Sequence, residues 1–403
     1  MLSHLVRTRA ALSGVLVATA CVLVGPPAVA DVGLTVPRGG TVVIHGRGFG
    51  HGHGMSQYGA QGAAEQGLST RQILAFYYPH TRTGHVGGSV KVVITENIGD
   101  PTVVVSRPGL QVRDLATGRT VKVPTAGSAA KATRWRMSGA AHGGTKVSYR
   151  TDRWHLWRTL KGNGEFRSSK AHLTLVLGHH RVTYAGTLRA MAKVSRTTHR
   201  ITVNRVPMEQ YLRGVVPREM PASWRPAALR AQAVAARGFA AFEVRSATDP
   251  RFNLYDDTSS QVYGGLSSAV ASTDKAISAT AGQVRTYQGL PAFTQFSASN
   301  GGELAPSDHP YLVGKRDPYD TKAIDPYTSW SVNVTATKID HTWPALGRVT
   351  SIEVTSRDGK GRWGGRVLAL TLHGTKADID LTGEKFRSGL GLRSTWIDLS
   401  IAG

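Results

Sequence analysis

Glu219 stands among apolar residues in the segment YLRGVVPREMPASW, which runs from Tyr211 to Trp224. A carboxyl group with apolar neighbours has a raised pKa, because desolvation disfavours its charged form. Such a group can keep its proton near neutral pH and act as a general acid. Pro217 and Pro221 predict that the glutamate lies on a stiff loop. A salt bridge or a helix cap is the alternative role that the residues alone leave open.

A glycine-rich stretch, GRGFGHGHGMSQYGAQGAAEQG, runs from Gly46 to Gly67 and carries His51 and His53. It does not fit the G-x-G-x-x-G dinucleotide fingerprint, because His51 occupies the third glycine position. The two histidines could face one metal ion, but no further ligand is visible, so a metal hydrolase stays an alternative and we predict no metal. The remaining interpretation is a binding cleft, since glycines allow a substrate to approach the backbone. A helix after Ser56 would add free N–H groups.

Short elements are predicted before, within and after this stretch. Val42 to Ile44 favours a strand that runs into the glycines. Ser56 is a suitable N-cap for a first short helix. Ser69 and Gln72 match a capping box for a second short helix, which has to end before Pro79.

The clearest helix signal is RPAALRAQAVAARGFAAFEV, with Pro226 at the first helical position. Small apolar residues occupy both sides of this helix, which predicts that it is buried. Gln232 and Arg237 interrupt the apolar pattern, and buried polar groups need partners. Structural hydrogen bonding and contact with a substrate both explain them, and the sequence leaves the two open.

Runs of β-branched residues fill the chain from Lys91 to about Asn204: KVVIT, TVVVS, TVKV, LTLVL and RITV. Turn residues separate them, as in an antiparallel sheet or barrel. The expected fold class is therefore α+β, with an antiparallel β-rich body and the buried alanine-rich helix next to the catalytic loop.

Residues 1–30 have the features of an export signal. Arg7 and Arg9 precede an apolar run, and AVA at Ala28 to Ala30 fits a cleavage site. One alternative is an uncleaved anchor. The other is a lipoprotein, because the sequence ATAC ends at Cys21. Cys21 is the only cysteine, so a mature chain cleaved after Ala30 has neither a disulfide nor a thiolate ligand. The expected location is outside the cell, associated with the cell wall.

The formal net charge is +23 at pH 7, and such a field attracts polyanions. Between Lys131 and Lys161 there are eight Lys/Arg residues and a single acid, Asp152, with three tryptophans interleaved. A solvated basic surface with core-facing tryptophans is one interpretation, and a patch that binds wall glycan or anionic wall polymers is the other. The chain has no nucleic-acid-binding motif, so nucleic acid is not an expected partner.

Four separated motifs resemble the SpoIID/LytB family: NRVPMEQYLRGVVPREMPASWRPAALRAQAVAARGFA, SQVYGG, FSASNGG and GHGHGMSQYGAQGAA. The resemblance covers most of the chain after the signal. It implies a lytic transglycosylase that acts on peptidoglycan and forms 1,6-anhydromuramic ends. The glutamate of the family's EMP motif, which is Glu219 here, is the implied catalytic acid, and no cofactor is implied. The alternative is a non-catalytic wall-binding protein that stimulates an amidase.

On this basis we expect seven further residues to line a substrate cleft beside Glu219: His51, His53, Ser56, Gln57, Tyr58, Gln232 and Arg237. The expected division of the chain is a signal peptide at 1–30, the glycine-loop segment at 31–86, a basic β-rich region at 87–200 and the SpoIID-like catalytic core at 201–403.

The chain departs from the family pattern in two places. The glycine-rich motif comes first here, whereas in the family it lies near the C-terminal end, and circular permutation is the simplest explanation. Gly46 to Tyr78 must then fold back beside Glu219. Some members also hold zinc with His and Cys residues near the SQVY position, where this chain has Ser259 and Ser260. That zinc site is expected to be absent or rebuilt without a thiolate.

Overall fold

The computed structural model describes residues 33–170, 172–192 and 198–403. The predicted export signal and its cleavage site lie outside these residues. The described ranges contain 25 β-strands and seven α-helices, and among the same residues no helix is long and apolar enough to cross a membrane.

The strands as far as residue 185 are β1 Leu34–Thr35, β2 Thr41–Gly46, β3 Met55–Ser56, β4 Arg82–His85, β5 Ser89–Val93, β6 Thr102–Val105, β7 Leu110–Asp114, β8 Thr120–Lys122, β9 Arg134–Gly139, β10 Thr145–Arg150, β11 Trp154–Leu160, β12 Gly164–Ser168, β13 His172–Leu177 and β14 His180–Ala185. The later strands are β15 Thr187–Ala192, β16 Arg200–Pro207, β17 Leu254–Tyr255, β18 Gln283–Tyr287, β19 Leu290–Pro291, β20 Phe296–Ser297, β21 Trp330–Thr335, β22 Val349–Arg357, β23 Val367–Gly374, β24 Ile379–Thr382 and β25 Ile397–Ile401.

The α-helices are α1 Gln57–Glu65, α2 Thr70–Tyr77, α3 Met208–Glu219, α4 Pro226–Ser246, α5 Ala271–Ala279, α6 Ala336–Thr342 and α7 Gly383–Leu390. Single 3-10 turns are found at Thr95–Asn97, Ser128–Lys131, Ala141–Gly143, Gly265–Ser268, Pro344–Leu346 and Arg362–Gly364.

Two large sheets share one core. The six-stranded sheet has the order β11-β10-β9-β6-β13-β14, and the seven-stranded sheet has the order β17-β5-β16-β15-β12-β7-β8. Inward-facing side chains of both sheets, such as Trp135 on β9 and Phe166 on β12, belong to the same cluster. Burial alternates along β13, as expected for a strand with one face on a core. All pairings in these sheets are antiparallel except the parallel pair β17–β5.

The alanine-rich helix α4 lies between two cores. Ala233, Ala236 and Ala240 pack with the core of the large sheets. Ala231 and Ala235 pack with a second cluster that includes residues of α1 and α2. This position explains why both sides of the helix are small and apolar, and the fold is α+β with mainly antiparallel sheets.

The second strand of the described chain, β2, and its last strand, β25, meet in one small sheet of the order β21-β2-β25. Val42 on β2 pairs with Val334 on one side and with Ile401 on the other. This sheet and the four-stranded sheet β1-β22-β23-β24 contribute to a third core with α6 and α7. The strand β2 therefore holds the start of the glycine-rich stretch against the C-terminal part of the chain.

The seven-stranded sheet crosses the predicted limit at residue 200, because β16 pairs with both β15 and β5. The predicted division into domains at residues 86 and 200 stays a prediction.

Replacing Trp135 with alanine tests the core between the large sheets. Trp135 is fully buried, so Trp135→Ala is expected to lower the free energy of unfolding by about 3–5 kcal/mol. Leu156 lies on β11, the edge strand of the same sheet, and is 61% exposed, so Leu156→Ala should change stability by less than about 0.5 kcal/mol. Chemical denaturation measures both, and equal small effects would contradict the shared core.

Candidate functional site

Glu219 is the last residue of helix α3, not part of a loop as predicted. Pro217 lies inside the final turn of that helix. The helix ends because Pro221 disfavours a helical conformation for the residue before it, Met220, which is extended (φ −129°, ψ 142°). The position at a helix C-terminus matters chemically, since the negative end of the helix dipole disfavours a carboxylate there.

The carboxyl group of Glu219 has two hydrogen-bond donors. The backbone N–H of Val262 donates to Oε1 at 3.1 Å, and Nε2 of Gln57 donates to Oε2 at 3.4 Å. Burial raises the pKa of Glu219 above its usual range, and the two hydrogen bonds, which favour the charged form, oppose this shift. Burial is the larger effect, so Glu219 holds its proton to a higher pH than an exposed glutamate.

Glu219 faces a cleft of about 460 Å³. Aromatic side chains, small polar residues and one arginine line it. The lining residues are Phe49, Gly50, His51, Gln57, Glu219, Phe239, Thr258, Ser259, Ser260, Val262, Phe293, Gln295, Phe296, Ser297, Ala298 and Arg387. Glu219 is the only carboxyl group in this set of described residues. The described lining thus offers a single carboxyl group for acid–base chemistry.

The glycine-rich stretch forms one wall of the cleft by lying directly against residues 295–299. A Cβ at Gly54 would come within 2.2 Å of the carbonyl oxygen of Gln295, and one at Gly50 within 2.6 Å of the Cβ of Ser297. Both glycines also have positive φ angles, 65° and 106°, which other residues rarely adopt. The strand β3 that follows pairs in parallel with β20. The glycines are therefore required for this close approach.

His51 and His53 stack on each other, with ring centroids 5.1 Å apart. Nδ1 of His51 accepts the backbone N–H of His53 at 2.9 Å. Burial lowers the pKa of His51 to about 3, with a smaller contribution from His53 and nearby arginines, so the ring is neutral at physiological pH. His51 lines the Glu219 cleft, whereas His53 lines only a neighbouring cavity that contains Arg366.

Of the three predicted site residues Ser56, Gln57 and Tyr58, only Gln57 lines the cleft. Ser56 is the N-cap of α1, where its Oγ accepts the N–H of Gly59 and donates to Asp320 at 2.9 Å. Tyr58 lies outside the cleft lining and packs edge-on against Trp224, with ring centroids 5.0 Å apart. We predicted free N–H groups at the start of this helix. The backbone N–H groups of Tyr58 and Gly59 are not free, because both donate to acceptors within the protein.

Gln232 and Arg237 do not reach the cleft, which corrects their predicted role as substrate-binding residues. Arg237 is fully buried and forms a two-pronged ion pair with Glu209, with both N–O distances 2.8 Å. It also donates to the carbonyl oxygen of Gln283 at 2.9 Å. Gln232 is fully buried inside α4, and its amide atoms have no partner among the described residues. Arg237 joins α3, α4 and β18, so its role is structural.

Several lining residues were not predicted from the sequence. The backbone N–H of Val262 has no side-chain signature, although it belongs to the SQVYGG motif. Arg387 lies in the segment TGEKFRSGLGLRST and forms an ion pair with Glu384 at 3.1 Å. Phe239 comes from the buried helix and Phe49 from the glycine-rich stretch.

Three buried aspartates support the glycine-rich wall from behind: Asp317, Asp320 and Asp325. Asp320 accepts the hydroxyl of Ser56 and the N–H of Asn300 at 2.9 and 2.8 Å. Burial, followed by the nearby Asp325, raises the pKa of Asp320 well above its usual range. A carboxylate close by disfavours ionisation of a buried carboxyl, which favours the protonated form of Asp320. The three aspartates lie in the segment after FSASNGG and attach that segment to the start of α1.

The described residues contain no group of three or more His, Cys, Asp or Glu side chains arranged to hold a metal ion. At the position where the sequence resemblance suggested a zinc site, Ser259 and Ser260 line the cleft, and Oγ of Ser260 accepts the N–H of Tyr255 at 3.1 Å. Hydroxyl groups are not typical zinc ligands. The residues present there do not fit zinc.

The basic segment from Lys131 to Lys161 presents cations on the outer face of the six-stranded sheet. Trp135 points into the core. Trp154 instead stacks against the guanidinium of Arg136, with 4.3 Å between Cζ of Arg136 and the ring centroid. Lys146 and Arg150 on β10 share the outward face and are exposed. One tryptophan thus follows the core-facing interpretation, and another belongs to a cationic surface.

Comparison with known proteins identifies a family segment and several relatives. Residues 196–287 match the SpoIID family, described as Stage II sporulation protein. The chain is 40% identical over 135 residues to the amidase enhancer of Bacillus subtilis (strain 168), which covers 32% of this chain and 17% of that protein. It is 30% identical over 222 residues to the stage II sporulation protein D of Bacillus amyloliquefaciens, covering 50% of this chain and 62% of that protein.

A further relative is the stage II sporulation protein D of Bacillus subtilis (strain 168), 32% identical over 151 residues, covering 32% of this chain and 44% of that protein. The chain therefore spans less than two thirds of the length of each of these relatives. The matched segment 196–287 includes Glu219 and Val262.

The raised pKa of Glu219 predicts a pH-dependent effect of Glu219→Gln on stability. The folded state holds this proton more tightly than the unfolded state, so wild type loses stability as pH rises from the unfolded pKa to the folded pKa. The variant should be more stable than wild type at pH 7, by about 1.4 kcal/mol for every tenfold difference in proton affinity between the two states, and this advantage should vanish at pH 4. Denaturant unfolding at both pH values measures it.

Glu65→Gln, at an exposed position on α1, serves as the matched control and should show no such gain between pH 4 and pH 7. A Glu219→Gln variant that is less stable than wild type at pH 7 would show that the carboxylate is favoured in the folded protein.

Proposed function

The comparisons support assigning the chain to the SpoIID/LytB family, and on that premise we propose that it is a peptidoglycan lytic transglycosylase with Glu219 as its single catalytic acid and base. The observation that carries the proposal is the partly buried carboxyl of Glu219 in a cleft of about 460 Å³, with its pKa raised by burial. A protonated carboxyl in such a cleft can protonate the oxygen of a glycosidic bond.

The proposed reaction cleaves the bond between N-acetylmuramic acid and N-acetylglucosamine. Glu219 gives its proton to the bridging oxygen while the bond from that oxygen to C1 of muramic acid breaks. The resulting carboxylate then accepts the proton of the muramic C6 hydroxyl, whose oxygen attacks C1. The products are a 1,6-anhydromuramic end and a free N-acetylglucosamine end, and Glu219 regains its proton.

This reaction needs no second carboxylate, because the nucleophile belongs to the substrate. Glycosidases that use water or a covalent intermediate generally require two carboxyls. The described lining of the cleft has Glu219 as its only one. Intramolecular attack by the C6 hydroxyl also gains from proximity. The composition of the cleft therefore fits a transglycosylase better than a two-carboxylate hydrolase.

His51 and Gln57 are proposed to border the bound glycan. Because Nδ1 of His51 accepts the N–H of His53, the neutral ring carries its proton on Nε2, which can donate a hydrogen bond to a sugar hydroxyl without adding charge. Gln57 donates to Glu219 at 3.4 Å and so orients the acid. Phe49, Phe239 and Phe296 add apolar surface to the same cleft, as in most ligand sites.

The proposed setting is the cell wall outside the cell. Glycan strands are the proposed substrate, and anionic wall polymers are proposed partners of the cationic outer face of the six-stranded sheet. An amidase is a further proposed partner, because a relative is named amidase enhancer. The identity of 40% over 135 residues, which cover 17% of that protein, also favours the second candidate function, a non-catalytic wall-binding stimulator of an amidase.

We propose that circular permutation accounts for the order of the motifs. The pairing of β2 with β25 supports this, since it brings the start of the described chain beside its end. Chain ends that lie close together can be joined with little strain, and new ends can open elsewhere.

The enzyme and the stimulator predict different results for Glu219→Gln. For a transglycosylase, this variant should release 1,6-anhydromuropeptides from purified wall glycan at a rate lower by roughly 10²–10⁴-fold, because the proton donor is lost. Mass spectrometry of the reducing ends measures the release. Glu243→Gln is the matched control, since burial also raises the pKa of Glu243 but this residue lies outside the cleft lining.

Equal release by wild type and Glu219→Gln, or no release by either, would contradict the proposal that the protein is a transglycosylase. An increase in amidase activity by both proteins in the same assay would then support the stimulator.

Gln57 should affect the pKa of Glu219. Its hydrogen bond favours charged Glu219, so Gln57→Leu should raise the pKa of that carboxyl further. The reaction requires protonated Glu219, and kcat/KM falls as pH rises through its pKa. The falling limb should therefore move to higher pH in Gln57→Leu, as measured by a pH–rate profile. A limb at unchanged pH would show that Gln57 does not contact Glu219 in the working enzyme.

A further inference from the structure

A second cavity of about 510 Å³ lies on another side of helix α4. Residues of α2, the first turns of α4, β4 and β18 enclose it. Three arginines face it, Arg71, Arg230 and Arg285, and none of the described residues that line it is acidic. It shares no lining residue with the Glu219 cleft. The cavity therefore concentrates positive charge apart from the proposed catalytic site.

Arg285 forms the buried part of this cavity and is only 7% exposed. Its Nε donates to the hydroxyl of Thr81 at 2.8 Å and its Nη1 to the hydroxyl of Thr83 at 3.2 Å. Its Nη2 donates to the carbonyl oxygen of Thr81 at 2.5 Å. These acceptors are all neutral, and each terminal nitrogen keeps a further N–H. A buried cation normally has a carboxylate partner, and here hydroxyl and carbonyl oxygens take that place.

Arg71 and Arg230 add to the positive charge from the rim of the cavity. Both are exposed. Arg71 is close enough to Arg285 to lower its pKa, an effect second only to burial. Like charges that converge without an acid raise the energy of the folded protein, and an anion between them removes that cost. The arrangement is thus unfavourable for an empty cavity and favourable for an anion.

Helix α2 also directs its N-terminus into the cavity. Its N-cap Ser69 and its first two residues, Thr70 and Arg71, are lining residues. Ser69 accepts the N–H groups of Gln72 and Ile73, and the amides of Thr70 and Arg71 have no acceptor within the helix. The positive end of a helix of eight residues therefore adds donors and partial charge to the arginines.

We propose that this cavity binds a phosphate group. Donors from α2, α4 and β18 approach from different sides, which suits a tetrahedral oxyanion better than a planar carboxylate, and arginine pairs well with phosphate oxygens. The volume of about 510 Å³ exceeds one phosphate and leaves room for the group that carries it. A phosphate monoester and a phosphodiester-linked polymer share this chemistry. This inference is independent of the proposed catalytic function.

Calorimetric titration tests the site at constant ionic strength, with inorganic phosphate in one arm and glycerophosphoglycerol, a phosphodiester, in the other. Wild type should bind at least one of the two titrants saturably at one site. In Arg71→Ala/Arg230→Ala the affinity should fall at least tenfold. Both replaced residues are exposed, so this variant should fold, and an unchanged unfolding curve verifies it.

Arg82→Ala is the matched control, because Arg82 is exposed on β4 next to Thr83 and faces the opposite side of that strand. It removes one positive charge without touching the cavity, and its affinity should equal that of wild type. Tighter binding of the diester would identify a polymer as the source of the phosphate, and tighter binding of inorganic phosphate would identify a monoester. Neither titrant binding, or equal weakening by Arg82→Ala and by the double variant, would overturn the proposal.

Discussion

The contact between the glycine-rich stretch and residues 295–301 is the constraint on which the rest of the site depends. Gly50 and Gly54 have no space for a side chain, because the backbone of Gln295 and the side chain of Ser297 touch them. Buried Asp320 fixes the far side of this contact by accepting hydrogen bonds from Ser56 and Asn300. Segments more than 200 residues apart in the chain are thereby held together as one wall.

This wall gives Glu219 its chemical character. The end of α3 presents the carboxyl from one side, and the wall brings His51 and Gln57 to the other. Water is partly excluded, so the neutral acid is favoured, while the two hydrogen bonds from Val262 and Gln57 keep its oxygens oriented. An acid that is held in place but uncharged is what proton transfer to a glycosidic oxygen requires.

Local signals in the sequence predicted elements well. The N-cap at Ser56, the capping box of Ser69 and Gln72 and the start of α4 at Pro226 are all observed, because each depends on residues a few positions apart.

Long-range pairing was not predictable. Arg237 interrupts an apolar helix whether it binds a ligand or an internal carboxylate, and Glu209, its partner, lies on another helix. Pro217 predicted a loop, but the helix continues to Glu219 even though proline removes one hydrogen bond to the carbonyl four residues earlier. The amide of Val262 is a backbone group and leaves no residue-type signal.

The proposed chemistry requires that the folded protein holds the proton of Glu219 to a higher pH than an exposed glutamate does. Carbon NMR of side-chain carboxyls in protein labelled at glutamate, titrated over pH and assigned by the loss of one resonance in Glu219→Gln, measures this directly. We expect a titration midpoint for Glu219 clearly above the usual glutamate value of 4.5. A midpoint at or below that value would mean that the cleft stabilises the carboxylate, and the proposed acid would have no proton to give.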